Sequence, residues 1–228
     1  MNQIRTIGII MDGNRRWAEK RGLSRLAGHR HGAKKLRELL GWARGAGVET
    51  VIVYAFSTEN WRRTKTEVIF LFKLFRRFLT VEIDSLVADK TIFRCIGDRY
   101  SLPEDLQSAI AKAEARTKNL GPRTLVIAVS YGGRAEIVAA AKVFARRYQD
   151  QLNDAGEKEF SQGLATAGLP DPDLILRTGG EQRLSNFLPW QSVYSELVFT
   201  PTHWPALTRK EFINILEEVR NRDRRFGK

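Results

Sequence analysis

Short apolar runs rich in β-branched residues recur along the chain, and most are followed by a longer segment with helical spacing. The runs cover residues 6–10, 50–55, 91–96, 125–129, 174–176 and 197–200. Strands that are apolar on both faces and alternate with helices of ten or more residues are typical of a parallel sheet covered on both sides. The pattern predicts an α/β fold with a single open, mostly parallel central sheet of about six strands flanked by helices.

Helical spacing of apolar residues predicts helices over residues 32–46, 66–88 and 133–148, and another that opens at Pro103 and Glu104. The polar stretch 149–158 has little to bury and is predicted to be a mobile loop, too short to separate two domains. Residues 220–228 form a basic run that closes a final helix. With 228 residues, 43% of them apolar, the chain is expected to fold as one domain over residues 1–228.

The charge balance points to anionic partners. There are 38 Lys and Arg residues against 26 Asp and Glu, a formal net charge of +12, which favours polyanions, phosphorylated metabolites or an anionic membrane face. The single cysteine, Cys95, excludes an intrachain disulfide and fits a reducing compartment. The first residues lack the features of a secretory signal, and no apolar stretch approaches the roughly 20 residues of a membrane span. We expect a cytoplasmic protein whose only membrane contact is peripheral.

The segment MDGNRRW, residues 11–17, follows the first predicted strand. Ligands of open parallel sheets bind where strand ends feed into helix N-termini, and here Gly13, Arg15 and Arg16 would provide close backbone approach and positive charge. Asp12 would repel a phosphate unless a divalent cation or a transferable proton lay between them. Two interpretations stay open: a diphosphate cradle completed by magnesium, or a helix cap followed by a solvated basic turn.

The segment FSTENWRR, residues 56–63, follows the second strand. Its hydroxyl, amide and guanidinium groups can bind phosphate, while Trp61 offers an apolar surface to an isoprenoid tail or to the core. The next helix carries apolar residues around much of its circumference, so it either sits in a large core or lines an apolar cavity. Ile69 and Phe70 are bulky residues of this helix, and we expect them to limit the depth of such a cavity.

The segment RTGGEQRLSN, residues 177–186, follows the fifth strand. Arg177 and Arg183 flank a turn at Gly179 and Gly180, so guanidinium groups and open backbone are available for a second diphosphate. Glu196, further along the chain, either completes a magnesium site or forms an ordinary ion pair with an arginine. Two phosphate sites indicate two phosphorylated substrates.

The motifs occur in an order that resembles one family. They are MDGNRRW, HRHGAKK, FSTENWRR, IGD, YGGR, RTGGEQRLSNFLPWQ, YSELVF and a terminal RRFG, and they extend over nearly the whole chain. This succession resembles the cis-prenyltransferases, the undecaprenyl diphosphate synthase family. The sequence lacks the DDxxD signature of the all-helical trans-prenyltransferases.

The resemblance implies a role for each matching position. Asp12 would be the central catalytic and magnesium-associated carboxylate, with Glu196 supporting the metal, while Asn60 and His29 would handle the proton. The other positions would bind substrate: Gly13, Asn14, Arg15, Arg16, Trp17, Arg25 and His29 around the allylic diphosphate; Ser57, Trp61 and Arg63 in the active-site loop; Arg177, Arg183 and Ser185 around isopentenyl diphosphate; and Arg225, Phe226 and Gly227 as a C-terminal element that reaches into the neighbouring subunit.

The implied reaction joins isopentenyl diphosphate to an allylic prenyl diphosphate, such as farnesyl or geranylgeranyl diphosphate. The expected product is a longer Z-polyprenyl diphosphate held in an apolar tunnel, and the expected cofactor is Mg²⁺. Because the chain carries both the catalytic motifs and the C-terminal element, the resemblance implies a self-sufficient homodimer. The proton acceptor stays open among Asp12, a relay of Asn60 and His29, and the released diphosphate.

Three positions depart from the common bacterial pattern of the family. Arg15 replaces a glycine, Thr64 replaces a proline, and Gln182 stands where some members place a histidine near the metal. None of these changes removes a charge that the mechanism needs. Gln182 leaves open which groups of the chain ligate the metal.

Two other classes of protein are disfavoured. A nucleic-acid-binding protein would also explain the positive charge, but the basic residues cluster at strand ends beside glycines rather than along one stripe with exposed aromatics. A catalytically silent partner subunit would lack Asp12, Asn60 or Arg177, and all three are present. An active enzyme is therefore expected.

Overall fold

The computed structural model describes residues 3–149 and 155–222. Each of the six predicted strands is present, at Thr6–Ile10 (β1), Thr50–Ser57 (β2), Thr91–Ile96 (β3), Arg123–Tyr131 (β4), Leu174–Arg177 (β5) and Glu196–Phe199 (β6). They form one sheet in the order β3-β4-β2-β1-β5-β6, and every neighbouring pair is parallel. The predicted open parallel sheet is confirmed.

Helices of the described residues cover the two faces and the ends of the sheet. They are Asn14–Glu19 (α1), Arg25–Gly45 (α2), Lys65–Arg77 (α3), Ile83–Ala88 (α4), Glu104–Thr117 (α5), Gly133–Arg147 (α6), Glu157–Ser161 (α7) and Arg209–Arg220 (α8). None of them combines the length and the apolar character that crossing a bilayer requires.

Helix α2 begins at Arg25, earlier than the predicted start at residue 32. Ser24 caps it, since the Ser24 hydroxyl accepts a hydrogen bond from the amide of Ala27 at 3.2 Å. Gly28, which weakened the helical pattern, is required by packing, because a Cβ there would lie 2.2 Å from the carbonyl oxygen of Asn14. The helix therefore starts beside the first motif and carries His29 next to it.

The predicted helix over residues 66–88 is divided. A π-helical segment, Phe78–Glu82, separates α3 from α4. Such segments are rare and often occur at functional sites, because the extra residue per turn changes which side chains face a cavity. Within the predicted loop 149–158, α7 begins at Glu157, and residues 150–154 lie outside the described part of the chain.

The strand order creates one point where the connections diverge. β1 leads to β2 on one side of the sheet, and β5 leads to β6 on the other, so the boundary between β1 and β5 is a topological switch point. In open α/β sheets ligands bind outside the carboxyl ends of the strands at such a boundary. The segments that begin at Met11 and Arg177 both start there.

Candidate active site

Asp12 and Arg177 meet at the switch point. Ile10 and Arg177 are partners in the register of β1 and β5, and Asp12 lies two residues beyond Ile10. The Arg177 Nη2 atom donates to Asp12 Oδ2 at 2.8 Å, and the amide of Gly13 donates to Asp12 Oδ1 at 2.6 Å. Gly13, not Asp12, occupies the cap position of α1, so the interpretation of Asp12 as a simple helix cap is not supported.

The surroundings of Asp12 keep its carboxylate ionised. Burial tends to raise its pKa, but the hydrogen bonds from Arg177 and Gly13 and the charges of Arg177 and Arg16 outweigh that effect, so the pKa of Asp12 lies below its usual value. Arg16 approaches Asp12 Oδ1 at 3.4 Å. The site therefore presents a fixed negative charge flanked by two guanidinium groups.

The Arg177 guanidinium also organises its own loop. Its side chain is only 5% exposed. Nη1 donates to the carbonyl oxygen of Arg183 at 2.5 Å and to the hydroxyl oxygen of Ser185 at 2.8 Å, while Nε is buried with no partner among the described residues. One planar group thus joins Asp12 to the loop that carries Arg183 and Ser185.

Two glycines allow the loops to approach each other. Gly179 has a φ of +89°, and a Cβ there would lie 3.0 Å from the carbonyl carbon of Asp12. Gly13 has a φ of +96°, and a Cβ there would lie 2.9 Å from the ring of His203. Only glycine adopts these angles without strain, so both positions depend on the missing side chain.

His29, Glu67 and Arg63 form a second polar cluster. The carboxylate oxygen Glu67 Oε1 lies 3.0 Å from His29 Nε2 and accepts a hydrogen bond from Arg63 Nη1 at 2.9 Å. Because an ionised carboxylate can only accept, Nε2 of His29 carries the proton in this contact and Nδ1 is the acceptor atom of the neutral ring.

The pKa of His29 is held low. Burial has the largest effect and lowers it, Glu67 opposes this through the hydrogen bond, and the charges of Arg63 and Arg15 lower it further. Burial tends to raise the pKa of Glu67, but the charges of Arg63 and Arg15 and the hydrogen bond from His29 outweigh it, so the pKa of Glu67 lies below its usual value. At neutral pH the cluster holds a neutral imidazole beside an ionised carboxylate.

A cleft of about 850 Å³ opens between α2, α3 and the carboxyl ends of the strands. Polar groups line one part of it, including Asp12, Asn14, His29, Ser57, Glu59, Asn60, Arg63, Arg134, Arg177, Ser185 and Asn186. Apolar groups line the rest, including Ile10, Leu36, Phe56, Leu71, Phe72, Leu74, Phe75, Phe78, Ile127 and Val129. The arrangement suits a ligand with a charged head and a long apolar body.

A shallow depression of about 520 Å³ adjoins the cleft and shares Glu59, Asn60 and Arg63 with it. Arg15, Arg25, Arg62 and Glu67 also line it. Four guanidinium groups therefore face two carboxylates, which leaves a cationic surface next to His29. Arg25 also pairs with Glu19 at 2.8 Å on the exposed side.

Several predicted residues lie beside the cleft rather than in its wall. Trp61 packs edge-on against Phe56 and Phe72 and donates from Nε1 to the Ser130 hydroxyl at 3.0 Å, which supports its packing role. Trp17 lies between the Arg21 guanidinium and His31. Neither indole is part of the cleft wall.

The active-site loop is held by its own hydrogen bonds. Asn60 Oδ1 accepts from the backbone amide of Ser57 at 3.3 Å. Both residues line the cleft, as does His29, but within the described chain the partner of the His29 ring is Glu67 and no hydrogen bond joins His29 to Asn60. The two side chains of the predicted relay, Asn60 and His29, are therefore not directly hydrogen-bonded to each other in the described residues.

The expectation about Ile69 and Phe70 is corrected. Neither residue lines the cleft, and the Ile69 side chain is 66% exposed. The wall is formed instead by Leu71, Leu74 and Phe75 of α3 and by Phe78 of the π segment, because this side of the helix faces the sheet and α2.

Glu196 is not near Asp12 in this chain. It is the first residue of β6, level with Leu174 and therefore with Ile7, at the amino ends of the strands. Asp12 lies five residues beyond Ile7, which is roughly 17 Å along the direction of β1. Glu196 accepts a hydrogen bond from Arg222 at 2.8 Å, so it forms the ordinary ion pair that was one of the two interpretations. Within one chain, Glu196 and Asp12 are too far apart to share a metal ion.

Some predictions are not settled by the described residues. Gln182 is exposed and does not line the cleft. The residues Arg225, Phe226 and Gly227 lie outside the described residues, so their role stays a prediction.

Three charged residues of the site were missed by the sequence analysis. Glu67 lies in the first turn of α3, four residues after Arg63, which precedes the Thr64 cap of that helix; opposite charges this close in the sequence could have revealed the pair. Glu181 lies between Arg16 at 3.5 Å and Arg183 at 2.6 Å. Arg134 lines the cleft beside Asn186, whose side-chain oxygen accepts from the Arg134 amide at 2.8 Å. Arg134 and Glu181 stand in the segments YGGR and RTGGEQRLSN, but the sequence analysis gave neither residue a role.

The donor set fits magnesium in one mode only. In residues 3–149 and 155–222 no three His, Cys, Asp or Glu side chains are grouped so that they could hold a metal. Magnesium is commonly bound by one or two carboxylates together with substrate phosphates and water. Asp12 is half-buried and ionised, so it can serve as the single carboxylate in this mode of binding. The described residues do not form a site that binds the metal through protein groups alone.

A family model described as "Putative undecaprenyl diphosphate synthase" matches residues 10–227. An isoprenyl transferase from Fusobacterium nucleatum is 47% identical over 221 residues, which cover 97% of this chain and 94% of the relative. One from Bacillus subtilis is 46% identical over 224 residues, 97% of this chain and 86% of the relative, and one from Agrobacterium fabrum is 44% identical, with coverage of 97% and 91%.

Solved structures agree with this assignment. Lavandulyl diphosphate synthase from Lavandula x intermedia, in complex with dimethylallyl diphosphate, superposes with a TM-score of 0.95 at 36% identity over 99% of both chains. An undecaprenyl diphosphate synthase described as probable, from Campylobacter jejuni, has a TM-score of 0.82 at 35% identity over 100% of both chains. With its switch-point site and its cleft, this chain belongs to the undecaprenyl diphosphate synthase family of cis-prenyltransferases and is a prenyl-transferring enzyme.

Proposed function

We propose that the enzyme condenses isopentenyl diphosphate with an allylic prenyl diphosphate, such as farnesyl or geranylgeranyl diphosphate, and releases a longer Z-polyprenyl diphosphate and diphosphate. The observation that carries the proposal is the pair formed by Asp12 and Arg177 at the mouth of an apolar cleft of about 850 Å³. Charged head groups and an apolar body are what these two regions accommodate. The solved relative that holds dimethylallyl diphosphate supports an allylic diphosphate as one substrate.

The two cationic regions receive the two substrates. The depression with Arg15, Arg25 and Arg63, next to His29, binds the allylic diphosphate. The loop with Arg177, Arg183 and Ser185 binds isopentenyl diphosphate. Asn60, Asp12 and His29 lie in the cleft wall that the substrates share, which brings the reacting carbons together.

In the reaction the bond between C1 and oxygen of the allylic substrate breaks, and its electron pair leaves with the diphosphate. The double bond of isopentenyl diphosphate forms the new carbon–carbon bond to C1, and a proton is then lost from C2. Guanidinium groups fixed in place stabilise the charge that develops on the departing diphosphate. Asp12, together with substrate phosphates, would hold Mg²⁺, which would further stabilise that charge.

We propose His29 as the proton acceptor. Its ring is neutral, Nε2 is engaged by Glu67, and Nδ1 is left as an acceptor. Asp12 is less suited, since both oxygens already accept hydrogen bonds and its pKa is lowered. Asn60 Oδ1 accepts a hydrogen bond from the Ser57 amide at 3.3 Å, which orders the loop beside the shared cleft.

We also propose a homodimer that works in the cytoplasm. The edge strand β6 and the turn before it expose apolar side chains, with Val193 69%, Tyr194 78% and Leu197 40% exposed. An exposed edge strand with apolar residues is a surface that proteins normally cover. A second copy of the chain would cover it.

The proposed reaction is tested by incubating the pure protein with labelled isopentenyl diphosphate, magnesium and several allylic starters. We expect elongated products by chromatography and Z geometry of the new double bonds by nuclear magnetic resonance. Failure to extend any allylic starter would contradict the proposal. Products with new E double bonds would contradict its stereochemistry.

A further inference from the structure

A second cavity and a group of exposed cations lie between α2 and α3 on the protein surface, outside the proposed catalytic site. The second cavity, of about 480 Å³, lies below the cleft, between α2, α3 and α4. Ala33, Leu74 and Phe78 line both the cleft and this cavity. Since Ala33 is exposed, the apolar interior reaches the protein surface between the two helices.

Unpaired cations flank this opening. Arg30 and Lys34 of α2 and Arg77 of α3 line the second cavity and are exposed, and Lys73, one helical turn before Arg77, is exposed too. In the part of the chain that the structure describes, none of these four has an ion-pair or hydrogen-bond partner for its side chain. Arg37 and Arg44 of α2, by comparison, are paired with Glu82 and Asp89. The rim of the opening is therefore positively charged.

Apolar side chains point outward from the same helix. Ile69 of α3 is 66% exposed, and Val81 of the following π segment is 52% exposed. Ile69, Lys73 and Arg77 follow one another at four-residue spacing, which places them on one helical face. A face that combines exposed apolar residues with Lys and Arg is typical of a helix that lies at an anionic membrane surface.

Arg30 and Lys34 of α2 and Ile69, Lys73 and Arg77 of α3 together form a surface, the α2–α3 face. We propose that this face docks on anionic lipid bilayers, with Ile69 as an apolar anchor and Lys73 as a contact to lipid phosphates. The inference rests on the proposed function in one respect: a polyprenyl product has a long apolar chain, and an opening beside the cleft would deliver that chain to the bilayer. Positive charge on the face complements anionic lipid head groups, and each Lys near such a surface contributes about 1 kcal/mol, or roughly fivefold in binding.

Helix α6 offers a matched control. Val138 is 54% and Val143 49% exposed, and Lys142 is exposed, so this helix also presents apolar residues near a lysine. None of these residues lines the cleft or the second cavity. If charge and apolar exposure alone decided membrane binding, substitutions on α6 would matter as much as those on α3.

The test is co-sedimentation of the full chain with vesicles of phosphatidylcholine alone or mixed with phosphatidylglycerol. We expect binding to the anionic vesicles that falls with salt. Lys73→Glu should weaken it by roughly fivefold or more, and Ile69→Ser by about tenfold. Lys142→Glu and Val143→Ser should stay within about twofold of wild type. Turnover in detergent should be unchanged in all four variants.

Wild-type enzyme that elongates prenyl chains in detergent but does not bind anionic vesicles would overturn the docking proposal and leave the proposed function intact. Equal loss of binding in the α3 and α6 variants would also overturn it. A change in molar mass by light scattering in the α3 variants, with vesicle binding unchanged, would assign the face to a protein partner instead. Absence of any prenyl product from the wild type would contradict the proposed function. The docking proposal would still be tested in that case, because vesicle binding of the four variants is measured independently of turnover.

Discussion

The Arg177 guanidinium donates from Nη2 to Asp12 Oδ2 at 2.8 Å, and its Nη1 atom holds the carbonyl oxygen of Arg183 and the hydroxyl oxygen of Ser185. The orientation of the central carboxylate and the shape of the second phosphate loop therefore depend on one buried planar group. A lysine cannot replace it, because an ammonium group has no fork that reaches three acceptors in fixed directions.

Arg177→Lys should lower kcat/KM for isopentenyl diphosphate by roughly 10- to 100-fold, because at least one charged hydrogen bond is lost. Steady-state kinetics with the allylic substrate held saturating measures the change. Arg183→Lys is the matched control: that side chain is 60% exposed and its charge contacts Glu181, so the expected loss is about threefold or less. Equal effects of the two substitutions would contradict the bridging role of Arg177.

Gly179→Ala should disturb the site more than Gly180→Ala. Both glycines have positive φ, +89° and +85°, so alanine costs about 1–2 kcal/mol of backbone strain at either position. Only at Gly179 would the new Cβ press on Asp12, at 3.0 Å, whereas at Gly180 the nearest atom is 3.7 Å away.

For this pair we expect similar melting temperatures and a turnover that is lower by about tenfold or more in Gly179→Ala alone. Thermal unfolding followed by circular dichroism, together with the condensation assay, separates the two effects. The close approach of the loop to Asp12 would lose its importance if both variants turned over at the same rate.

Glu67→Gln should lower the pKa of His29 further. The hydrogen bond and the charge of Glu67 both raise that pKa, and they partly offset burial and the charges of Arg63 and Arg15. Glutamine has no negative charge, so the substitution removes the Coulombic attraction that raises this pKa, while burial and the charges of Arg63 and Arg15 still lower it. Titration of the imidazole resonances by nuclear magnetic resonance measures the change, and a pKa that rises in Glu67→Gln would contradict the arrangement.

His29 also gives a pH dependence to stability. Its folded-state pKa lies below the ordinary value of 6.5, so the unfolded chain binds the proton first. The contribution of a neutral His29 is complete above pH 6.5 and is lost as the pH falls from there toward the folded-state pKa. We expect the free energy of unfolding to fall more steeply below pH 6.5 in the wild type than in His29→Gln. His203 is present in both proteins, so its own titration cancels. Parallel curves would contradict the lowered pKa.

Leu74 should influence product length. It lies between the cleft and the second cavity, so Leu74→Phe fills the passage and Leu74→Ala opens it. We expect shorter products from the first variant and longer products from the second. Phe70→Ala is the control, because Phe70 does not line the cleft. A shift in the same direction for both Leu74 variants would remove Leu74 as a determinant of length.

Much of the fold could be predicted because its signals are local. Buried parallel strands are runs of apolar residues, and the strands at Thr6–Ile10 and Thr91–Ile96 have the predicted boundaries. The start of α2 was missed because Gly28 weakens a helical pattern, and the need for glycine there arises from the distant Asn14. The π segment Phe78–Glu82 also escaped prediction, since a helix with one wider turn keeps the same apolar composition.

The part of the site that could be predicted consists of residues that directly follow a strand, because ligands of open parallel sheets bind at the carboxyl ends of the strands. Asp12 and Arg177 each follow a strand, and the switch-point rule brings such residues together. The position of Glu196 depends on strand register, which places it at the opposite end of the sheet from Asp12 and which no local pattern reveals. Which face of α3 is buried likewise depends on packing against α2, so Ile69 and Phe70 were assigned to the wrong side.

The central claim is that Asp12, oriented by Arg177, is required for bond formation between the two substrates. It is tested most directly by the rate of incorporation of labelled isopentenyl diphosphate by Asp12→Asn, a variant of nearly equal shape without the charge. We predict a folded protein, by thermal unfolding, whose turnover with magnesium and an allylic starter is lower by about 100-fold or more. Turnover close to that of the wild type in the folded Asp12→Asn protein would contradict the account.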